Sequence, residues 1–396
     1  MEKKKGRNKS KRIQSILQIV VFLLLVMVLG GITAFRYADF RINDRQQEYH
    51  MNYSDEGSTL ETDIATTFIG KQQMLDINGE IRKDLGQVSM NDVYKLKNGH
   101  MTEIYPAQPD DVMAAQADRV AAVQRYLASL GKPMIFVMAP FNISKYDPQL
   151  PEGVVDYTND NADRFVAFLR ERGVEVIDLR DTMHEDGVDH YDMFYRTDHH
   201  WNTKAGLYAY QKLLPWLEAH LDFETDPRIA DPANYTYQTW PEWHLGTYGQ
   251  RTSVEFSEGA DDFSLFIPNF DTLIQEAGID TPGRLEEAFY HMEYLQEKDY
   301  SSRLTYDNVL GAGDLYGKTC ANLMATNNIK MLLVSNSFYR AIYPFLIMQF
   351  QTVRYAHTAT VSGLTPDVTS QYDVMVMLYE PTVIWDGTGA FDFTGY

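Results

Sequence analysis

Twenty consecutive residues near the start of the chain, Ile16–Phe35, contain one glutamine and no charge. Coiled as a helix they rise about 30 Å, the thickness of a hydrocarbon core. The pattern then turns polar and charged from Ala38 to Asp63. Beyond it, apolar residues return in short blocks that alternate between two periods. "DDVMAAQADRVAAVQRYLASLGK" spaces Val112, Met113, Val120, Val123, Tyr126, Leu127 and Leu130 close to the helical repeat, with Gly131 as a stop. "PMIFVMAP" is a continuous apolar run that predicts a buried strand over Met134–Met138. "NDNADRFVAFLRERG" predicts a helix opened by an Asn/Asp cap and ended at Gly173, and "VEVIDL" predicts the next strand. "TKAGLYAYQKLLPWLEAHL" is helical up to a kink expected at Pro215.

Residues 222–328 are less regular, with turns and one helix expected from Pro282 to Lys298. The alternation resumes in a strand over Ile329–Val334, a turn and a helix, and "YDVMVMLYEP" gives a last strand. Strands alternating with helices in this way predict an α/β fold, a parallel sheet flanked by helices on both faces.

Charge refines the picture at the N-terminus. Residues 1–12 carry seven Lys/Arg against one Glu, a net of +6, so with a total of −20 the rest of the chain carries −26. Basic residues ahead of an apolar span keep that end in the cytoplasm. The expected organisation is a basic cytoplasmic tail (1–12), a transmembrane anchor (13–35), a juxtamembrane stalk (36–64) and an extracytoplasmic domain (65–396) with the irregular middle segment 222–328. A body this acidic repels a phosphate backbone, which argues against a nucleic-acid partner. Cys320 is the single cysteine, so no internal disulfide forms, and it lies in the polar stretch "GKTCANLMATNN" with no strand before it, which favours an inert structural thiol over a nucleophile.

Histidine is scarce, ten residues in 396, yet two stand together in "YRTDHHWNTKAG". A metal site is one reading, with His184, Asp189 and His190 upstream as further ligands. On an extended segment, however, neighbouring side chains face opposite ways, so His199 and His200 diverge while Asp198 and His200 share a face. An Asp beside a His is half of a nucleophilic triad. A third reading makes the stretch the polar start of a helix capped by Asn202 or Thr203. The triad needs a nucleophile at a strand-to-helix turn, and "LLVSNSFYRAIYPF" offers Ser335 or Ser337 there, where helix N–H groups favour an oxyanion.

"TDHHW" before a helix, with a Ser-Phe turn after a distant strand, resembles the DHHW family. That family belongs with the SGNH-hydrolase-like domains of the alginate O-acetyltransferase (AlgX/AlgJ) type. The resemblance makes Asp198 and His200 the D-x-H pair and Ser337 the nucleophile, with Ser335 and Asn336 standing where Gly-Asp is usual. It implies a Ser-His-Asp mechanism of O-acyl transfer, most simply O-acetyl transfer, to a cell-surface polysaccharide, without metal or soluble cofactor. It also implies an acyl donor and a polytopic membrane acyltransferase as partner. Tyr343, Asn142, Asn336 and Trp201 are the further residues expected to bind substrate or stabilise an oxyanion. A carbohydrate esterase with the same triad, or a glycan-binding protein with a decayed site, are the alternative readings.

Overall fold

The computed structural model describes residues 2–47, 68, 70–300, 304–311, 317–385, 387 and 389–396. It divides into two compact units, Met1–Asn78 and Gly79–Tyr396. In the first unit a single helix, α1 (Glu2–Gln47), takes in the basic tail, the apolar span and the first part of the expected stalk. Its stretch Ile16–Ala38 has a mean hydropathy of 2.7 and is long and apolar enough to cross a membrane. Most of the remaining stalk lies outside the described residues. Helix α2 (Lys71–Asp84) follows.

The second unit holds the last part of α2 and then a small antiparallel sheet, β1 (Ser89–Met90), β2 (Val93–Lys95) and β3 (Met101–Thr102). It then builds a seven-stranded sheet. The central strands are β4 (Met134–Met138), β5 (Val176–Asp178), β10 (Lys330–Ser335), β11 (Thr352–His357) and β12 (Val374–Tyr379). They run parallel in the order β5-β4-β12-β10-β11. Every residue of β4 and β12 is buried, as the unbroken apolar runs require of strands covered on both faces. Alternation divides their side chains between two cores. Phe136, Leu332 and Met377 meet helices α3 (Asp110–Ser129) and α4 (Thr158–Glu171). Ile135, Leu333 and Val376 meet α5 (Thr203–His220) and α6 (Tyr339–Gln349). Helices α5 and α6 cross closely at Gly206, where a Cβ would lie 1.9 Å from the Ala341 carbonyl oxygen.

The α/β architecture, a largely parallel sheet between helices, matches the expectation, with four local differences. The sheet is mixed, because β8 (Ile274–Glu276) and β9 (Lys318–Asn322) from the middle segment extend its edge antiparallel. That segment also forms the antiparallel pair β6 (Tyr235–His244) and β7 (Asp261–Pro268). No long helix forms over Pro282–Lys298; one turn (Leu285–Ala288) and a 3₁₀ turn (Met292–Leu295) replace it. Phe289 and Tyr290, which follow the first turn, are both buried. Helix α5 continues through Pro215 to His220. Finally, α4 starts from Asp156, whose carboxylate accepts from the Thr158 N–H, rather than from a cap in the Asn/Asp cluster.

Candidate active site

The carboxyl ends of parallel strands β4, β10 and β12 converge at one edge of the sheet, the usual place for a site in such folds. Strand β10 ends at Ser335, and a short turn carries Asn336, Ser337 and Phe338 into α6. The Ser335 hydroxyl donates to the Leu378 carbonyl at 2.6 Å inside the sheet, so it fastens β10 to β12 and does not face the site. Ser337 is partly exposed.

Opposite it stands the loop Thr197–Trp201, which is not extended. Phe194 and Trp201 form an antiparallel bridge, and the chain bends through the residues between them. Asp198 then accepts the His200 backbone N–H at 3.0 Å, closing a local turn. The His200 Nδ1–H donates to Asp198 Oδ1 at 2.8 Å, and the Ser337 hydroxyl donates to His200 Nε2 at 2.6 Å. An ionised carboxylate only accepts, which fixes this tautomer. The Trp201 Nε1–H donates to the Phe338 carbonyl at 2.9 Å, tying the loop to the serine turn. Trp201 is fully buried and so unable to pack on a sugar ring.

The bend also overturns the expected divergence of the two histidines. His199 stays beside His200, with ring centroids 3.7 Å apart, and its Nδ1 lies 3.2 Å from Asp198 Oδ1. The ligating atoms of Asp198, His199 and His200 all fall within 4.8 Å of one another, so alternation no longer argues against a metal ion. What favours a proton relay is that both nitrogens of His200 are already engaged. His184 and His190 do not join the group: the first stacks on Tyr146 and the second on Phe194.

Sequence reasoning missed the residues that cradle Asp198. His244, at the end of β6, places Nε2 3.0 Å from Asp198 Oδ2. The Thr247 N–H donates to the same oxygen at 3.1 Å, and Gly246 packs directly on the carboxylate. Tyr306 stacks on His200 at 4.2 Å, and Asp307 beside it pairs with Arg340 of α6. The signal available was "WHLGTYG", a histidine with two glycines three apart, in an otherwise irregular stretch.

Four other expectations change. Asn142, after β4, donates its amide to the Asp198 carbonyl at 2.7 Å and thereby holds the loop. Tyr343 is fully buried with its hydroxyl on the Val353 carbonyl and its ring against Phe289 and Tyr339, in the core. The N–H groups that open α6 are spent locally: Phe338 on Asn336 Oδ1, Tyr339 on the Asn336 carbonyl, Arg340 on the Ser337 carbonyl. The Ser337 N–H makes no hydrogen bond among the described residues. Cys320 lies buried in strand β9, which the polar sequence around it disguised. Asn336 in turn donates to Glu380 Oε1 at 3.0 Å. An aspartate at 336 would confront that buried carboxylate, which explains the amide here.

Burial alone would raise the Asp198 carboxyl, but the imidazoles of His200 and His199 outweigh it and hold it well below the usual range. Burial, with the charge of His199, pushes His200 down to about 4. His200 is therefore unprotonated and able to accept a proton through the neutral range. As pH falls through about 4 it becomes charged and can no longer accept. The acid limb of kcat/KM in a pH–rate profile is expected near 4, not near the 6.5 of an ordinary histidine.

Fold and site together define an SGNH hydrolase-like α/β protein. Residues 101–242 match the model of the ALGX family, described as SGNH hydrolase-like domain, acetyltransferase AlgX. The matched stretch, about a third of the chain, holds Asp198 and His200 but ends before Ser337. Among solved structures it is similar to PatB1 of Bacillus cereus with a sulfonyl adduct, at a TM-score of 0.61 and 17% identity over 78% of this chain and 99% of that one. A DHHW family protein from Eubacterium siraeum gives 0.55 and 17%, over 78% and 98% respectively. At such identity these likenesses establish the fold. No curated protein matches the chain.

Proposed function

We propose that the protein is a membrane-anchored, extracytoplasmic O-acyltransferase, most simply an O-acetyltransferase, acting on hydroxyls of a cell-surface polysaccharide. The observation that carries this reading is the relay Ser337–His200–Asp198, with links of 2.6 and 2.8 Å. Ser337 Oγ attacks the acyl carbonyl carbon while its proton passes to His200 Nε2. Asp198 orients the imidazole and stabilises its charged form. The Ser337 N–H is the donor available to the oxyanion. The leaving group takes the proton from His200, and an acyl ester remains on Ser337. The sugar hydroxyl then attacks that ester, gives its proton to His200, and Ser337 Oγ leaves and regains it. The apolar stretch of α1, preceded by seven basic residues, supports an anchor with the body outside. A polytopic membrane acyltransferase would supply the acyl group.

The test is chemical. The full-length protein in detergent is treated with phenylmethylsulfonyl fluoride and mapped by mass spectrometry. A single adduct on Ser337, lost on prior denaturation, is expected. Labelling at Ser335 instead, or none with the folded protein, would overturn the assignment.

A further inference from the structure

Three imidazoles face the Asp198 carboxylate, and they are not equivalent. The side chains of His200 and His244 are 2% and 0% exposed, whereas that of His199 is 33% exposed. His199 is nevertheless held. Its Nδ1 lies 2.8 Å from Thr247 Oγ1, and the Thr247 hydroxyl lies 3.4 Å from Asp198 Oδ1. That hydroxyl donates to the carboxylate, so its oxygen accepts the Nδ1–H of His199. The opposite nitrogen, Nε2, takes no hydrogen bond among the described residues, and its ring lies 3.7 Å from that of His200. A side chain fixed along one edge and open along the other, directly beside the proposed base, is built to receive a ligand.

The chemistry of the open edge selects the ligand. Nε2 is an open ring nitrogen, and a hydroxyl, which both donates and accepts, pairs with it in either protonation state of the ring. The group that must approach Ser337 in the second half of the proposed reaction is a hydroxyl on a polyol. Sugar hydroxyls come as neighbours on adjacent carbons, so one can be held while the next attacks.

We propose that His199 binds a hydroxyl of the acceptor and so directs the acyl group on Ser337 to a sugar instead of to water. The inference rests on the acyl-transfer reading above. Water and acceptor use the same step: the oxygen–carbon bond forms, its proton goes to His200 Nε2, and the bond from carbon to Ser337 Oγ breaks as Oγ takes the proton back. Holding the acceptor beside the ester raises its effective concentration and leaves the chemistry of the base alone. His199 thus governs the partition between transfer and hydrolysis.

The experiment uses the full-length protein in detergent, p-nitrophenyl acetate as acyl donor and glycerol as the probe acceptor. It reads nitrophenol release, acetate and acetylglycerol separately. For His199→Ala, losing one hydrogen bond to the acceptor should cut the acetylglycerol-to-acetate ratio about tenfold. Acylation of Ser337 should slow less than acetylglycerol formation does, since Asp198, His200 and Ser337 all remain while one neighbour of Asp198 is lost. Sulfonyl labelling of Ser337 in the variant reports that the site is folded. His199→Gln, which keeps a polar group of similar reach, should recover part of the ratio. An unchanged ratio in a variant that still labels would overturn the acceptor role alone. Loss of acylation and labelling together would make His199 a prop of the relay and would also overturn it. A wild-type protein that neither labels nor forms acetylglycerol would fail at the earlier step, the acyl-transfer reading itself.

Discussion

Asp198→Asn should lower the proposed acyl transfer by about four orders of magnitude, and His200→Ala by at least as much, with the fold retained. The asparagine has the same shape, so packing among buried neighbours survives. What it loses is the charge and the ability to accept from every side. In the wild type the two carboxylate oxygens accept from His200 Nδ1, the His200 N–H and the Thr247 N–H. An amide in that place turns a donor toward one of these donors. The His200 ring can then escape the clash only by moving its proton to Nε2, where it blocks the Ser337 hydroxyl. The measurement is single-turnover acylation, with thermal unfolding followed in parallel. A metal site predicts a different pattern, in which a chelator inactivates the protein and His199→Ala costs as much as His200→Ala. Chelator-insensitive activity, together with unequal histidine effects, is the outcome expected here. A mild loss at Asp198→Asn would remove the relay from the mechanism.

The legible and illegible parts of this chain differ for reasons of locality. Central strands β4, β10 and β12 are buried on both faces, so each appears as an unbroken apolar run and needs no partner to be recognised. Strand β9, between β11 and the edge strand β8, buries Lys318, Cys320 and Asn322 while Thr319 and Ala321 lie partly open, so "KTCAN" shows no apolar run at all. The pairing of Asp198 with His200 is inferred in sequence from extended alternation. In the structure the residues meet because the loop turns and Asp198 accepts the His200 N–H, and the same turn keeps His199 close. Asn142 is expected at the site from its place after a parallel strand, and Tyr343 from the family resemblance. Their hydroxyl and amide are taken by backbone carbonyls that only the folded chain brings near. His244 and Tyr306 reach the site from the irregular middle segment, across separations that no local pattern encodes.

That separation makes Gly246 the most consequential position outside the relay. Its backbone has φ −70°, a conformation open to any residue, so the demand for glycine is one of space alone. A Cβ at this position would lie 2.2 Å from Asp198 Cβ and 2.5 Å from Asp198 Oδ2. Contacts that short cannot be absorbed by rotation, because the carboxylate is pinned between His200 and Thr247 and the loop behind it is held by Asn142. Gly246→Ala therefore pushes Asp198 off His200 or moves the strand end that carries His244. A displacement of about 1 Å at a reacting group is enough to cost roughly a hundredfold in rate. Overpacking should also lower stability by about 1–3 kcal/mol. Gly249→Ala is the matched control. Its Cβ would meet the Leu245 side chain, Cδ1 at 2.3 Å and Cγ at 2.9 Å, which can turn aside as the Asp198 backbone and pinned carboxylate cannot, with Thr197 Cβ at 3.1 Å. Steady-state kinetics and thermal unfolding of both variants should show a large rate loss at 246 and a small one at 249. Full activity in Gly246→Ala would mean that Asp198 can shift without consequence, and the cradle around it would then have no part in catalysis.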